Sequence, residues 1–261
     1  MAKYTNLDIS DKGVATLTLN RPEVHNAFDD VMISELLQAL KNVEDSEQAR
    51  VLVLRSEGKN FSAGADLNWM RSMADKNYQQ NVEDAGELGL LMERLDLLSK
   101  PSIALVQGAA FGGAVGLAAC CDIVLAQPHS SFCLSEVKIG LIPAVISPYV
   151  VRTIGEKQSR RYMLTAERFF ADEAQKLGLV NDVVDDFEEP LNNLLDALLA
   201  NSPQAVTACK ELIRNVGSRP INKDVRDHTI KAIAEIRVSD EGQEGLSAFL
   251  EKRPAAWLNK N

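Results

Sequence analysis

The sequence predicts an α/β protein whose C-terminal region is entirely helical. Short apolar segments of strand length alternate with helical patterns in the N-terminal part of the chain, and only helical patterns follow residue 189. The chain has 261 residues, of which 46% are hydrophobic and 25% charged, so it can bury the core of a globular domain. We therefore expect an α/β core over residues 1–200 and a helical region over residues 201–261.

The individual elements follow from local patterns. Residues 14–19 and 51–54 are short apolar runs and are expected as strands, while apolar side chains at helical spacing predict a helix over residues 32–43. Ser147 and Pro148 form a good N-cap and N1 pair, which predicts a helix start. The remaining predicted helices span residues 87–98, 147–154, 156–164, 172–177, 191–199, 204–215, 224–238 and 241–250, and a short strand is expected at 179–184.

Residues 103–121 form an apolar stretch in which Gln107 is the one polar side chain. A membrane-spanning helix needs about 20 such residues, but four glycines divide this stretch into short pieces. We interpret residues 101–107 as a buried strand, 113–121 as a buried helix and 122–126 as a second strand. The stretch is thus expected to be a βαβ unit inside a core, and no membrane association is expected.

Charge and cysteine content exclude several classes of function. The net charge of −9 argues against nucleic acid as a partner, because phosphate binding needs a basic face. The four cysteines, at positions 120, 121, 133 and 209, show no C-x-x-C spacing, so no metal site is expected. The N-terminal residues contain no apolar signal segment, and together with the cysteines this predicts a cytoplasmic protein.

The run GAAFGGAVGL at residues 108–117 predicts a backbone that bends sharply or that another group approaches closely, because glycine has no side chain. It does not fit a dinucleotide-binding fingerprint, because Phe111 stands where the first glycine belongs, and the chain has no P-loop motif. The alternative is an oxyanion hole, since backbone N–H groups at a helix start are unpaired. Gly113 could supply one donor, and the small-residue run at residues 60–67 could supply a second.

Three motifs together resemble the crotonase superfamily, the enoyl-CoA hydratase/isomerase family. They are FSAGADL (61–67), the glycine run ending in CCD (108–122) and LSEVKIGLIP (134–143), and RPEVHNAF (21–28) and FLEKRPAAW (249–257) are also similar. The resemblance implies a crotonase-like spiral of ββα units and a helical C-terminal region that forms trimers, which commonly pair into hexamers. It implies an acyl-CoA thioester substrate and no cofactor beyond the CoA that this substrate carries.

The same resemblance implies roles for individual residues. Ala65 and Gly113 would donate the two oxyanion-hole N–H groups, and Glu136 would be the catalytic acid and base. The residues implied in substrate or CoA binding are Ala63, Asp66, Leu67, His25, Asn26, Ala27 and Gly112.

Gly116 departs from the family pattern, because hydratases that use two glutamates carry one of them at this position. By mechanism alone, a single carboxylate favours a Δ3,Δ2-enoyl-CoA isomerase, since it can remove a proton and return it. A single carboxylate could also hydrate, if it deprotonates water and passes the same proton to C2.

Residues 134–150, together with Gly116, resemble bacterial methylglutaconyl-CoA hydratases of leucine and acyclic-terpene degradation. The resemblance implies a substrate with a second carboxylate, for which Tyr149, Arg152 and the helix start at 147–148 are candidate partners. We expect charge pairing at the surface as the main role of Arg152. A branched enoyl-CoA hydratase is the leading interpretation, and the alternatives are the isomerase and a non-catalytic acyl-CoA-binding protein.

RNA binding, which a lysine-rich helix provides in one relative of these hydratases, is not expected here. The matching helix, residues 34–49, contains one lysine, Lys41, and four acidic residues.

Overall fold

The computed structural model describes residues 2–217 and 219–258. Its strands are β1 (Thr5–Ile9), β2 (Val14–Leu19), β3 (Val51–Ser56), β4 (Ser102–Val106), β5 (Ala109–Phe111), β6 (Ile123–Ala126), β7 (Ser131–Cys133), β8 (Phe169–Phe170) and β9 (Asp182–Val183). Its α-helices are α1 (Asp30–Asp45), α2 (Leu67–Met73), α3 (Tyr78–Asp96), α4 (Gly113–Cys120), α5 (Ser147–Thr165), α6 (Ala171–Lys176), α7 (Glu188–Ala200), α8 (Pro203–Val216), α9 (Lys223–Val238) and α10 (Asp240–Glu251). A short 3-10 helix covers Glu136–Ile139.

A six-stranded sheet in the order β1-β2-β3-β4-β6-β9 forms the centre of the molecule. β1 is antiparallel to β2, and the other neighbours are parallel. The parallel strands bury side chains on both faces, as such sheets require. Leu52 and Leu54 belong to the core cluster that includes residues of α1, α3 and α4, whereas Val51 and Val53 pack towards α7. A second sheet, β5-β7-β8, stands beside the first and carries the turn into α4.

The structure confirms most of the elements expected from the sequence and extends some of them. The helix expected at 87–98 begins earlier, at Tyr78, because Asn77 and Gln80 form a capping box there. The helices expected at 147–154 and 156–164 are joined in α5 and separated only by a break at Gly155, which has φ +77°. The N-cap of α5 is Ile146, and Ser147 instead donates its hydroxyl to the Ala144 carbonyl.

The C-terminal helices carry large apolar side chains that the chain itself does not cover. Phe249 and Leu250 on α10 are 80% and 76% exposed, and neither α8 nor α9 contains a buried residue. Lys210 of α8 forms an ion pair with Asp122 and so connects this region to the central sheet. Among the described residues, no helix has both the length and the apolar character needed to cross a membrane.

Candidate active site

A cavity of about 440 Å³ lies where α2, α3, the start of α4 and the 3-10 helix meet. Its walls are mainly apolar and include Met70, Leu88 and Val145. The predicted site residues Ala63, Ala65, Leu67, Gly112, Gly113 and Glu136 all line it. The structure therefore brings together residues from three separate sequence motifs around one space of ligand-binding size.

Backbone hydrogen bonds fix the loop 61–66 between two other segments. On one side, the Ser62 N–H donates to Ala109 O at 3.0 Å and the Phe111 N–H donates to Ser62 O at 3.0 Å. On the other, the Phe28 N–H donates to Gly64 O at 2.7 Å. A Cβ on Gly64 would lie 3.0 Å from Phe111 O, so a larger residue could not let the two chains approach this closely. These bonds bring Ala65 beside the turn that leads into α4.

Gly112 explains why glycine stands at the start of α4. Its φ of 53° and ψ of −122° lie in a region that glycine alone adopts readily. A Cβ there would also lie 3.2 Å from Oε1 of Glu136. The turn thus needs glycine both for its conformation and for its closeness to the carboxylate.

The backbone N–H groups of Ala65 and Gly113 both lie at the cavity, and neither has a protein acceptor among the residues that the structure describes. Gly113 is the first residue of α4, where no intrahelical acceptor exists for its N–H. Two such donors at one cavity are the arrangement that stabilises a thioester oxygen as it gains negative charge.

Glu136 presents its carboxylate to the same cavity. Its Oε2 atom is buried and makes no hydrogen bond within the described chain. Burial raises the pKa of this carboxyl group above its ordinary value, because the charged form loses hydration. A buried carboxylate with a free oxygen and a raised pKa is suited to accept and return a proton.

Ile146 closes the space beside Gly116. A Cβ on Gly116 would lie 2.3 Å from Cγ2 of Ile146 and 3.1 Å from Sδ of Met92. Ile146 is 2% exposed and lines the cavity. The carboxylate that is missing at position 116 is therefore replaced by packed hydrocarbon, and the wall next to it is apolar.

The cavity has a second carboxylate, Asp84, which sequence reasoning did not single out. It lies in α3 and forms an ion pair with Lys76, which stands just before that helix. Asn81, also at the cavity, donates its amide to the carbonyls of Lys76 and Asn77, both at 3.0 Å. These polar groups give one part of the wall a different character from the rest.

The segment His25–Ala27, expected in the CoA channel, does not line this cavity. Asn26 is fully buried, and its side chain bonds to the backbone of Arg21, Glu57 and Asn60 at 2.8–2.9 Å. Its role in the structure is to hold the loops together. Nδ1 of His25 lies 3.1 Å from the Asn60 amide nitrogen.

Asp66 also has a structural position. Its carboxylate caps α2 by accepting from the N–H groups of Asn68 and Trp69, and it pairs with Arg21 at 3.0 Å. It is 5% exposed and, unlike its neighbours in the loop, does not line the cavity.

The two side chains considered for a second substrate carboxylate lie elsewhere. Arg152 forms an ion pair with Asp96, as expected of a surface charge, and its guanidinium lies 5.6 Å from the ring centre of Tyr149. Neither of them lines the cavity.

Sequence reasoning also missed Trp69, a 9% exposed cavity residue. Its position in the first turn of a short helix gives no signal beyond that of an ordinary apolar residue.

Comparisons with known proteins agree with this geometry. The family model "Enoyl-CoA hydratase/isomerase" matches residues 10–260. A putative enoyl-CoA hydratase of Thermus thermophilus is 35% identical over 94% of this chain and 97% of its own length. The 2,3-dehydroadipyl-CoA hydratase of Escherichia coli is 31% identical over 92% and 93%.

The crystal structure of an enoyl-CoA hydratase from Shewanella pealeana superposes with a TM-score of 0.96 at 53% identity, covering 98% of this chain and 96% of that one. This likeness confirms the crotonase fold expected from the motifs. The chain is therefore an enzyme of the enoyl-CoA hydratase/isomerase family, within the crotonase superfamily.

Proposed function

We propose that this enzyme adds water to a branched enoyl-CoA thioester of the methylglutaconyl type. The observation that carries the proposal is the placement of the Glu136 carboxylate beside the two unpaired N–H groups of Ala65 and Gly113, in an apolar cavity. Where two-glutamate relatives place a carboxylate, the packing of Ile146 on Gly116 gives an apolar wall, which suits a branched hydrocarbon part of the acyl group.

The proposed reaction needs one acid/base group and one pair of donors. Glu136 removes a proton from water, whose oxygen forms a bond to C3 as the C2–C3 double bond moves its electrons towards the thioester. The thioester oxygen becomes an enolate oxygen, which the N–H groups of Ala65 and Gly113 stabilise. Glu136 then returns the same proton to C2, and the product is a 3-hydroxyacyl thioester. No cofactor beyond the CoA of the substrate takes part.

A second carboxylate on the substrate is part of the proposal. The relative from Escherichia coli is named for a dehydroadipyl thioester, whose acyl chain also ends in a carboxylate. The polar side chains of Asn81 and Asp84 make one part of the cavity wall polar, whereas the rest of the lining is mainly apolar. We propose leucine or acyclic-terpene degradation as the setting and the cytoplasm as the location.

The competing candidate is a Δ3,Δ2-enoyl-CoA isomerase. It is favoured by one observation, namely that Asp84 is held by Lys76 and Glu136 is the cavity carboxylate with a free oxygen. A 1,3 proton shift needs only one carboxylate that is free to take up and return a proton.

Parallel assays separate these functions. The enzyme should hydrate 3-methylglutaconyl-CoA with a kcat/KM at least about tenfold above that for crotonyl-CoA, and it should not convert a 3-enoyl-CoA at a comparable rate. Faster isomerisation than hydration would establish the isomerase instead. Binding of both thioesters without turnover would establish the non-catalytic alternative.

A further inference from the structure

Two of the three buried side-chain polar atoms that lack a partner in the described chain belong to residues of this one cavity. They are Oε2 of Glu136 and Nε1 of Trp69. The third, Nε of Arg50, lies on a residue whose guanidinium already donates to Asn201 O. Buried polar atoms are normally satisfied, so a pair of unsatisfied ones at a ligand cavity indicates that the ligand completes them.

The backbone of Trp69 is fixed at the start of α2. Oδ1 of Asp66 accepts from the Trp69 backbone N–H at 3.2 Å, and Oδ2 of Asp66 pairs with Arg21 at 3.0 Å. Arg21 also pairs with Asp29, the N-cap of α1. The main chain that carries Trp69 is therefore anchored to a network of charged side chains, and its indole N–H is buried away from solvent.

Two other polar side chains of the cavity already have partners. The Asn81 amide donates to two backbone carbonyls, and Asp84 is paired with Lys76. Trp69 Nε1 is a donor and cannot accept, so only an oxygen or another acceptor of the ligand can satisfy it. An indole N–H usually finds a partner when it is buried, because leaving it unpaired lowers stability.

We propose that Trp69 Nε1 donates a hydrogen bond to the second carboxylate of the acyl group and so selects thioesters of dicarboxylic acids. This inference rests on the function proposed above, since it assumes that the acyl group occupies the cavity. A bond to a charged acceptor is stronger than one to a neutral acceptor, which favours a carboxylate over a hydroxyl or ketone. Asp84 contributes a negative charge to the cavity wall, and Lys76 pairs with it. This ion pair reduces the repulsion that Asp84 would exert on a substrate carboxylate.

The test measures binding of two saturated thioesters, which cannot be hydrated. Titration calorimetry compares glutaryl-CoA, which has a second carboxylate, with butyryl-CoA, which has none. The Trp69→Phe variant keeps an aromatic ring but loses the N–H donor. We expect it to bind glutaryl-CoA about tenfold to a hundredfold more weakly, with a change of less than about threefold for butyryl-CoA.

The matched control is Trp257→Phe, the same chemical change at the other tryptophan of the chain. Trp257 donates to Ala200 O in the C-terminal region and does not line the cavity, so the preference for glutaryl-CoA should not change. In this control Trp69 is the one remaining tryptophan, and its fluorescence reports the ligand directly. Glutaryl-CoA should shift its emission maximum more than butyryl-CoA does.

Equal losses for the two thioesters in Trp69→Phe would mean that the ring only packs, and would overturn the inference. Unchanged binding, or equal emission shifts in the control, would do the same. Failure of the proposed function looks different. In that case Trp69 would still govern the preference for glutaryl-CoA, but 3-methylglutaconyl-CoA would not be hydrated.

Discussion

Glu136 combines two properties at the scale of a single residue. Its Oε2 atom is shielded from solvent and has no hydrogen-bond partner in the described chain, yet the residue opens onto the cavity. Burial raises its pKa more than the hydrogen bond from its own backbone lowers it, and a raised pKa reduces the energetic difference between accepting and releasing a proton near neutrality. The same burial destabilises the folded protein whenever the group is charged.

Replacing Glu136 by Gln should separate catalysis from substrate binding. We expect turnover to fall by about 10²–10⁴, while CoA-ester affinity changes little, because the acid/base group is lost and the binding surface is kept. Steady-state kinetics and thioester titration measure the two effects. A variant that keeps more than about a tenth of the wild-type activity would contradict the role of Glu136.

The pH dependence follows from the direction of the shift. The reaction needs the charged carboxylate, so kcat/KM should fall as pH falls through a pKa higher than the ordinary value of about 4.3. The stability of the fold changes with pH in the opposite direction to the activity. The raised pKa means that the folded protein binds the proton of Glu136 more tightly than the unfolded chain does, so the fold loses stability as this group becomes charged. Glu136→Gln should therefore raise Tm at neutral pH, and the gain should disappear below about pH 4. A gain that persists there would argue against charge burial as its cause.

At the scale of elements, the site is made by strand-to-helix junctions. The loop 61–66 and the turn before α4 each present a backbone N–H, and the donor role proposed for these groups does not depend on a side chain. A Cβ on Gly113 would lie 3.4 Å from Phe28, which is an ordinary contact. Position 113 therefore tolerates a small side chain, which makes it possible to test the N–H alone.

Gly113→Pro removes this N–H at the first position of a helix, where proline is well tolerated. We expect a folded protein with about 10²–10³ lower kcat, the effect of losing one oxyanion donor. Gly113→Ala keeps the donor and should lose less than about tenfold. If the two variants had the same kinetics and the same far-ultraviolet circular dichroism, the oxyanion-hole assignment would be wrong.

A second prediction at this scale concerns the contact between α4 and the start of α5. Gly116→Ala alone should be destabilising by about 1–3 kcal/mol, because its Cβ would overlap Ile146. Ile146→Ala alone should cost about 2–5 kcal/mol through the cavity it leaves. In the double variant each change relieves the other, so the loss of Tm should be clearly smaller than the sum of the single losses. Additive losses would show that the two residues do not compete for one space.

The sequence predicted those parts of the site that local patterns encode. The glycine turn, the helix of residues 113–121 and the motif around Glu136 could be identified because glycine chemistry, apolar periodicity and family resemblance all act over a few residues. The packing of Ile146 on Gly116 could not, since the two lie thirty residues apart and meet only in the folded chain.

Several elements that sequence reasoning missed have no recognisable apolar pattern. β5 and β7 have three residues each and β8 has two, which is too short for an alternating pattern to be recognised. The first half of α3 is exposed and polar and therefore has no apolar periodicity. Trp69 looked like an ordinary apolar residue because only the structure shows that its N–H is unpaired.

At the scale of the whole molecule, the C-terminal helices leave apolar surface exposed on the isolated chain. Phe249, Leu250 and Val238 are 76–80% exposed, and Ile213 is 64% exposed. Side chains of this kind are normally covered by a partner when they form a patch. The predicted division at residue 200 falls between α7 and α8, and it remains a prediction.

We predict that the enzyme assembles into trimers, which pair into hexamers. Light scattering at micromolar concentration should give the mass of three or six chains, and a monomer would contradict the prediction. Phe249→Asp should shift the distribution to smaller species, because it places a charge on the apolar surface. Lys231→Ala, at an exposed polar position of α9, is the control and should leave the mass unchanged.

The backbone bonds between the loop 61–66 and β5 have a consequence for folding. The two proposed oxyanion donors, Ala65 and Gly113, are separated along the chain by α2, α3 and β4, and only long-range pairing brings them together. Such pairings are the slow part of folding, because closing a long loop costs entropy before any contact compensates for it. A chain that has regained only its helices therefore has both amides but does not yet hold them at one cavity. During refolding, the return of activity should mark the last of these sheet contacts and lag behind the return of helical structure.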